Sequence, residues 1–266
     1  MKWKTMVAAT LCCGSGLAAA GTMGDISPLA PRFYVGAEGG GSISVNTHFQ
    51  PIFSGSRRLT VLAPDNSDWS RDLGVGGFGG LFAGYTFNPN LAFQFTWDYR
   101  SGYNYDLHAA YGLDVENPNY FLQDRYEARG IKIQTFLFDM ILKPAVNWGG
   151  FVPYVKGGVG VAYNKIKTLR NVEIPFNGTE LSYDTFIHGD SETSFAWDAG
   201  VGADYFFTNN LSIGLGYRFV DAGELRTKRI ANDAVTGSVF TINPFKAKHF
   251  LLNEVMASIA YHFDYV

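Results

Sequence analysis

The chain has 266 residues with 21 Lys and Arg against 24 Asp and Glu, so no basic field invites nucleic acid. Its 31 Gly, 16% aromatic and only 17% charged residues suit a β-rich chain better than an ordinary soluble domain. Both Cys lie at positions 12 and 13, which removes disulfides, thiolate metal sites and Cys catalysis from the rest of the chain.

Lys2 and Lys4 precede an apolar run from Met6 to Leu17, and Ala18, Ala19 and Ala20 supply the small residues that a signal peptidase needs. That run falls short of the roughly 20 residues of a spanning helix, so residues 1–20 read as a cleaved signal and 21–31 as a lead into the first strand. Cys12 and Cys13 sit inside the apolar run, without the small residue that precedes a lipidated Cys, and a lipoprotein is not expected. No later stretch reaches about 18 uninterrupted apolar residues, so helical membrane spans are not expected either.

From Arg32 onward the apolar residues recur every second position, which is strand periodicity. Phe33, Val35 and Ala37 alternate with Tyr34, Gly36 and Glu38, and a Gly-rich strand covers 73–87. Leu91, Phe93, Phe95, Trp97 and Tyr99 then alternate with Ala92, Gln94, Thr96, Asp98 and Arg100. Phe136, Phe138, Met140 and Leu142 stand opposite Thr135, Leu137, Asp139, Ile141 and Lys143, and Val155, Val159, Val161 and Tyr163 opposite Lys156, Gly158 and Gly160. A sixth strand sets Phe195, Trp197, Val201 and Tyr205 against Asp198, Gly200, Gly202 and Asp204. The last two carry Leu211, Ile213, Leu215, Tyr217 and Phe219 opposite Gly214, Gly216 and Arg218, then Val255, Ile259, Tyr261 and Phe263 opposite Glu254, Ser258 and His262.

An eight-stranded interior has room only for side-chain filling, and the bulky rows would overfill it. The small and charged rows therefore face inward and the bulky rows outward, as in a membrane barrel, where a cation at the bilayer midplane costs roughly 2–4 kcal/mol. Lys132 interrupts its outward row only near a loop, where that cost fades. Aromatic pairs at row ends, such as Tyr85 and Phe87 or Tyr261 and Phe263, read as interfacial girdles. Connections alternate in length. Asn88-Pro89-Asn90, Thr208-Asn209-Asn210 and 144–150 are short, whereas 47–72, 101–125, 164–191 and 220–248 are long, polar and strand-poor. The expected fold is all-β, an eight-stranded antiparallel transmembrane barrel over 32–266 with short periplasmic turns and four long external loops.

At these residues the chain resembles the eight-stranded outer-membrane proteins of Gram-negative bacteria, the group that includes the OmpA transmembrane domain, OmpX, Ail and the neisserial opacity proteins. The resemblance is one of pattern over nearly the whole mature chain. It is carried by Gly80-Leu81-Phe82-Ala83-Gly84-Tyr85-Thr86-Phe87-Asn88-Pro89-Asn90-Leu91 and by the final strand to Tyr261-His262-Phe263. Asp264, Tyr265 and Val266 follow where that group usually stops at the aromatic. The resemblance implies an outer-membrane location, lipid and lipopolysaccharide as surroundings and the barrel-assembly machinery as a partner; the peptidoglycan-binding domain that OmpA-like proteins can append is not expected, because the last strand runs to the end of the sequence.

Gly74-Val75-Gly76-Gly77-Phe78-Gly79 matches a dinucleotide fingerprint, but strand periodicity follows it where a helix is required, so no cofactor is expected. Phe78 and Phe82 fall on the inward row of that strand, against the rule of small inward residues. The inward charges Glu38, Asp98, Asp139, Asp198, Asp204 and Glu254 face Arg100, Lys143, Lys156 and Arg218, with Glu127 and Arg129 nearer the loops. Charges in a dry interior must pair. This set reads either as a salt-bridge plug or as a gate in which Arg218 or Lys156 exchanges carboxylates. Among five His, the sequence His188-Gly189-Asp190-Ser191 comes nearest to a hydrolytic arrangement, and no enzymatic activity or metal site is expected.

In the loops, Tyr103, Tyr105, Tyr111 and Tyr120 of the second and Arg226, Lys228 and Arg229 of the fourth are residue types enriched in binding patches. The alternative is that the loops drift without a specific ligand. The expectation is therefore a surface-interaction, adhesion or envelope-integrity protein whose loops meet a host or extracellular protein. A small channel ranks second and a lipid-modifying hydrolase third.

Overall fold

The computed structural model describes residues 32–45, 47–51, 73–112, 121–144, 148–175 and 184–263. The signal segment 1–20, the lead 21–31 and the residues after Phe263 lie outside them. Among the described residues fourteen strands form: β1 Arg32–Val45, β2 Gln50–Pro51, β3 Val75–Asn88, β4 Leu91–Gly112, β5 Phe121–Leu142, β6 Phe151–Lys165, β7 Leu169–Pro175, β8 Asp184–Gly189, β9 Ser191–Phe206, β10 Leu211–Asp221, β11 Leu225–Asp233, β12 Val239–Thr241, β13 Phe245–Ala247 and β14 Leu251–His262.

Eight of these close into an antiparallel ring in the order β1, β3, β4, β5, β6, β9, β10, β14 and back to β1. Closure is made by β1 on β14, from Tyr34 opposite His262 to Val45 opposite Leu251. No strand of the ring is left with an edge, so its backbone donors and acceptors need no water.

The alternation predicted from the sequence separates two environments. Phe33, Phe195, Leu215 and Val255 stay about two-thirds exposed on the outer surface, at 66%, 65%, 68% and 67%. Such surface would be an aggregation hazard in water and is matched by acyl chains in a bilayer. Aromatic rings gather at the short-turn end, where Phe33 meets Tyr85 at 4.7 Å, Tyr205 meets Phe207 at 5.0 Å and Tyr261 meets Phe263 at 5.3 Å. The lumen is narrow enough that glycine is required beside the acids. A Cβ on Gly80 would collide with Asp98, and one on Gly158 with Asp139.

At the other end the long connections 101–125, 164–191 and 220–248 carry strands among their described residues, which corrects the expectation above, while 52–72 lie outside the described residues. The 22-residue β4 and 22-residue β5 run on to Gly112 and from Phe121, well past the roughly 9–11 residues that cross a bilayer. β7 pairs with β5, β8 with β7, β11 with β8, and β12 and β13 with β11, so the barrel wall continues into an ordered cap. The signal was present in the sequence, since Tyr103, Tyr105 and Leu107 alternate with polar residues, but the polar composition outweighed it.

Between barrel and cap the alternation changes phase. Gly102 (φ 98°) and Gly130 (φ 70°) mark an irregularity in the β4–β5 ladder between Arg100 and Asn104. One extra residue swaps inward and outward faces. Below it Asp98 and Arg100 point inward; above it Tyr103, Tyr105, Tyr126 and Ala128 do so. Glu127 and Arg129, read from the sequence as inward, therefore lie on the outer face, Arg129 exposed and Glu127 paired with Arg125 at 2.8 Å. An L-residue at the Gly102 backbone costs about 1–3 kcal/mol. Gly102→Val is expected to lower the urea unfolding midpoint in lipid vesicles accordingly, while Gly41→Ala, with open space around its Cβ, leaves it unchanged.

Candidate functional site

The barrel interior is crossed by one ion network. Glu254 of β14 is its hub, because it stands opposite Arg218 of β10 in the strand register and beneath Arg100 of β4. Arg100 donates from Nε to Glu254 Oε1 at 2.6 Å and from Nη2 to Oε2 at 3.1 Å, a two-pronged contact. Arg218 donates from Nε to Glu254 Oε2 at 2.9 Å and from Nη1 to Glu38 Oε1 at 2.8 Å. Asp98 Oδ2 lies 3.0 Å from Arg100 Nη2 and 2.9 Å from Arg218 Nη2 and bridges the two guanidinium groups. Ser42 donates to Glu254 Oε1 and in turn accepts from the Tyr103 hydroxyl, which ties the hub to the cap. Both arginines and their acids are fully or almost fully buried.

Toward the periplasmic end, Lys156 of β6 sits between Asp139 of β5 and Asp198 of β9, 3.7 Å and 3.6 Å from their Oδ2 atoms. Asp139 is also held by the Thr96 hydroxyl at 2.7 Å. Lys143 meets Asp204 at 3.3 Å near the mouth. Glu38, Asp98, Arg100, Asp139, Lys143, Lys156, Asp198, Asp204, Arg218 and Glu254 thus point into the lumen, whereas Glu127 and Arg129 do not. Phe78 and Phe82, which broke the small-residue rule, find their reason here. The Phe78 ring lies 5.5 Å from the Arg100 guanidinium and 5.0 Å from that of Arg218, giving both a cation–π face where no further acid is placed. Phe82 packs edge-on to Tyr34 at 6.1 Å, in space that glycine at position 36 leaves open. Spacing alone carries no signal for such a stack, because it joins three strands.

Beneath the network a cavity of about 30 Å³ is lined by Tyr34, Gln94, Tyr154, Lys156, Asp204 and His262. It is large enough for about two waters. Arg100 and Arg218 close the lumen above it.

Above the network lies a second, apolar core. Phe49, Leu73, Tyr103, Tyr105, Ile131, Ile166, Leu169, Ile187, Leu225, Phe245 and Phe250 are buried together. Phe49 meets Tyr105 and Tyr126 meets Phe245, each at 4.9 Å between ring centres. Tyr103 and Tyr105, expected as loop contacts, are corrected by this packing. They are 0% and 1% exposed and spend their hydroxyls on Ser42 Oγ and the Phe49 carbonyl. The phase change at Gly102 turned them inward. Tyr111 belongs to β4, with its side chain outside the described residues, and Tyr120 lies outside them altogether. Arg226 pairs with Glu192, and Lys228 and Arg229 are exposed on an irregular stretch of β11.

The outer face of the cap sets apolar groups beside paired charges, with Glu127 of β5 opposite Arg170 of β7. In register, Arg170 of β7 stands beside Phe186 of β8, Phe186 beside Asn232 of β11, and Asn232 beside Val239 of β12. Ile230, two residues before Asn232, is also exposed on this face. His188 reaches Asn232 Oδ1 at 3.1 Å, whereas the Asp190 carboxylate accepts from the Ser191 backbone N–H, so this segment assembles no relay. His262 shares a 2.9 Å hydrogen bond with Ser212 at the periplasmic mouth, and its Nδ1 meets no hydrogen-bond partner among the described residues. Asp233 accepts from the backbone N–H groups of Val235 and Thr236, which holds its carboxyl below the usual range and fixes the β11–β12 turn.

A family model described as outer membrane protein beta-barrel domain matches residues 6–243. The chain belongs to that family. It is a protein of the bacterial outer membrane, with its short turns in the periplasm and its cap outside. The outer membrane protein PagN of Salmonella typhimurium is 30% identical over 117 residues, 44% of each chain, so the match spans less than half of that relative. Among solved structures, OprG of Pseudomonas aeruginosa superposes with a TM-score of 0.48 at 14% identity, over 89% of this chain and 98% of that one. Neisserial surface protein A gives 0.44 at 14% identity, over 88% and 99%.

Removing one partner of a buried ion pair typically costs about 3–5 kcal/mol, because the survivor stays buried. Glu254→Leu takes one acid from both arginines, leaving Arg100 with Asp98 and Arg218 with Glu38 and Asp98, and is expected to lower unfolding free energy in vesicles by about that much. Tyr105→Ala should cost about 3–5 kcal/mol as a core truncation. A Tyr105→Ala barrel of unchanged stability would refute the cap core.

Proposed function

We propose that this outer-membrane barrel acts without catalysis as a surface-interaction protein, presenting its external cap to a host or extracellular-matrix protein. The observation that carries this reading is the cap itself. A loop that merely drifts does not need six strands beyond the ring, a buried aromatic core and a turn fixed by Asp233. The row from Arg170 through Phe186 and Asn232 to Val239 offers aromatic, aliphatic and guanidinium groups on a rigid sheet. Those groups, when preorganised, dominate protein interfaces. Assembly-machinery contacts and surrounding lipopolysaccharide complete the proposed partners.

The reading also draws support from the lumen. Arg100 and Arg218 are cross-bonded to three acids from different strands, so opening a pore requires several charge-assisted bonds to break at once. A small channel remains the second reading, favoured by the cavity under Lys156. Lipid hydrolysis stands third, since His188 faces an Asn.

The test joins one measurement on the purified, refolded protein with one on bacteria that display it. In a planar bilayer it should be silent, and discrete openings that change with Arg218→Met would promote the channel. Bacteria displaying Phe186→Ser/Ile230→Ser/Val239→Ser should bind epithelial cells and immobilised matrix protein at least tenfold less than those with the parent protein, with heat-dependent gel mobility unchanged. Equal binding by parent and variant would remove the cap face from the function.

A further inference from the structure

The buried charges of the lumen do not cancel. Glu38, Asp98, Asp139, Asp198 and Glu254 stand against Arg100, Lys156 and Arg218, five acids and three bases whose side chains are at most 2% exposed. Lys143 and Asp204 nearer the mouth balance each other. Two negative charges in excess are costly in a lumen too narrow to hydrate them. The polar atoms left over show where the deficit lies. Among the described residues Asp98 Oδ1, Asp139 Oδ1 and both carboxylate oxygens of Asp198 meet no hydrogen-bond partner. Glu254, by contrast, takes guanidinium donors on both of its oxygens.

The remaining four acids repeat one arrangement twice. In register Glu38 of β1 stands opposite Gly80 of β3, and Gly80 opposite Asp98 of β4. Asp139 of β5 likewise stands opposite Gly158 of β6, and Gly158 opposite Asp198 of β9. The middle strand contributes no side chain, and the acids on either side close over it. A Cβ at position 158 would collide with Asp139 Oδ1 and lie 2.8 Å from Asp198 Oδ1, so the vacated position is where these two acids meet. Both pairs come within hydrogen-bonding reach, Glu38 with Asp98 and Asp139 with Asp198. Two ionised carboxylates are acceptors only and repel at such range, whereas a carboxyl group and a carboxylate share one proton and attract. Around the first pair stand Arg100 of β4, Thr135 of β5, Lys156 of β6, Arg218 of β10 and Glu254 of β14. The second is faced by Thr96 of β4, Lys156 of β6 and Arg218 of β10, with the Tyr34 and Tyr154 hydroxyl groups on its cavity side.

We propose that each acid–glycine–acid triplet is a proton-binding site, so that the lumen holds two protons, one between Glu38 and Asp98 and one between Asp139 and Asp198. Each pair then carries a single negative charge. Together with Glu254 they match Arg100, Lys156 and Arg218, and the network is neutral. A metal ion fits these places poorly, because Lys156 Nζ already stands 3.7 Å and 3.6 Å from the second pair and Arg218 contacts both acids of the first. The polar cavity beneath reaches from Glu38 and Lys156 to His262 at the periplasmic mouth, the side from which the protons exchange. Losing them as pH rises restores two uncompensated charges and loosens the struts between strands. The sites lie inside the barrel, apart from the cap face, and go beyond the surface-interaction reading.

The experiment follows urea unfolding of the refolded protein in lipid vesicles between about pH 5 and 6, above the ordinary carboxyl range near 4. In that window the unfolded chain has released these protons and the native barrel keeps them, so stability falls as pH rises. Each retained proton raises the unfolding constant by up to about tenfold per pH unit. Asp198→Asn and Glu38→Gln replace a protonated carboxyl group by an amide that still donates to the partner acid. Either variant should flatten the pH dependence by about tenfold per unit relative to the parent, and the double variant by about a hundredfold. Comparison with the parent cancels the surface carboxylates. Infrared spectroscopy of the native parent at about pH 6 supplies a readout that requires no variant to fold. It should show the carbonyl stretch of protonated carboxyl groups, because exposed acids are ionised there. The proposal is overturned by equal pH dependence in parent and double variant, by absence of that band, or by stability that follows sodium or calcium concentration in place of pH. Each of these results leaves the cell-binding test of the cap untouched.

Discussion

A backbone that crosses hydrocarbon has no water to satisfy its N–H and C=O groups, and every other feature of this protein follows from how the chain meets that constraint. Eight strands satisfy it only by closing, with β14 returning to β1 along twelve residue pairs. Closure at eight strands fixes a lumen too narrow for the bulky half of each strand. The large apolar side chains are thus forced outward, where the bilayer receives them, and the inward half must be Gly, Ala, Ser, Thr or charge.

Charges inside such a lumen are held by one another. Arginine is the residue at the crossing points because its planar fork reaches acids on several strands at once. Arg218 links β1, β4 and β14 through Glu38, Asp98 and Glu254, and Arg100 shares two of those acids. The network is a set of cross-barrel struts, and its strength lies in having no partner that can be removed alone without leaving a buried charge. Phe78 gives both guanidinium groups an aromatic face in the same layer.

Function is pushed outward by the same logic. With the lumen occupied and the flanks in lipid, the surfaces left for recognition are the periplasmic turns, the rim and the cap. The turns are short, and the cap holds the second hydrophobic core, so a rigid platform stands on the external side. Its attachment is continuous, since β4 and β5 belong to the barrel at one end and to the cap at the other. The hydrogen-bond chain from Tyr103 through Ser42 to Glu254 couples the two cores directly.

The strand periodicity, the inward set of acids and bases, the girdles and the alternation of short and long connections were all legible in the sequence, because each depends only on the period-two geometry of a strand and on the cost of charge in lipid. Which acid meets which base was not legible, since the partners lie on different strands and their heights are set by ladder register. The cap was missed for a related reason. Tyr103 and Tyr105 alternate as strand residues do, yet one extra residue at Gly102 turns them from the face that the row below predicts to the opposite one. The sequence by itself determined that the chain is an outer-membrane barrel and which face of each strand turns inward below the irregularity at Gly102. Only the tertiary structure decided that the loops build a cored cap and that Asp139 meets Asp198 across Gly158, because a bulge and a cross-strand register are properties of paired chains.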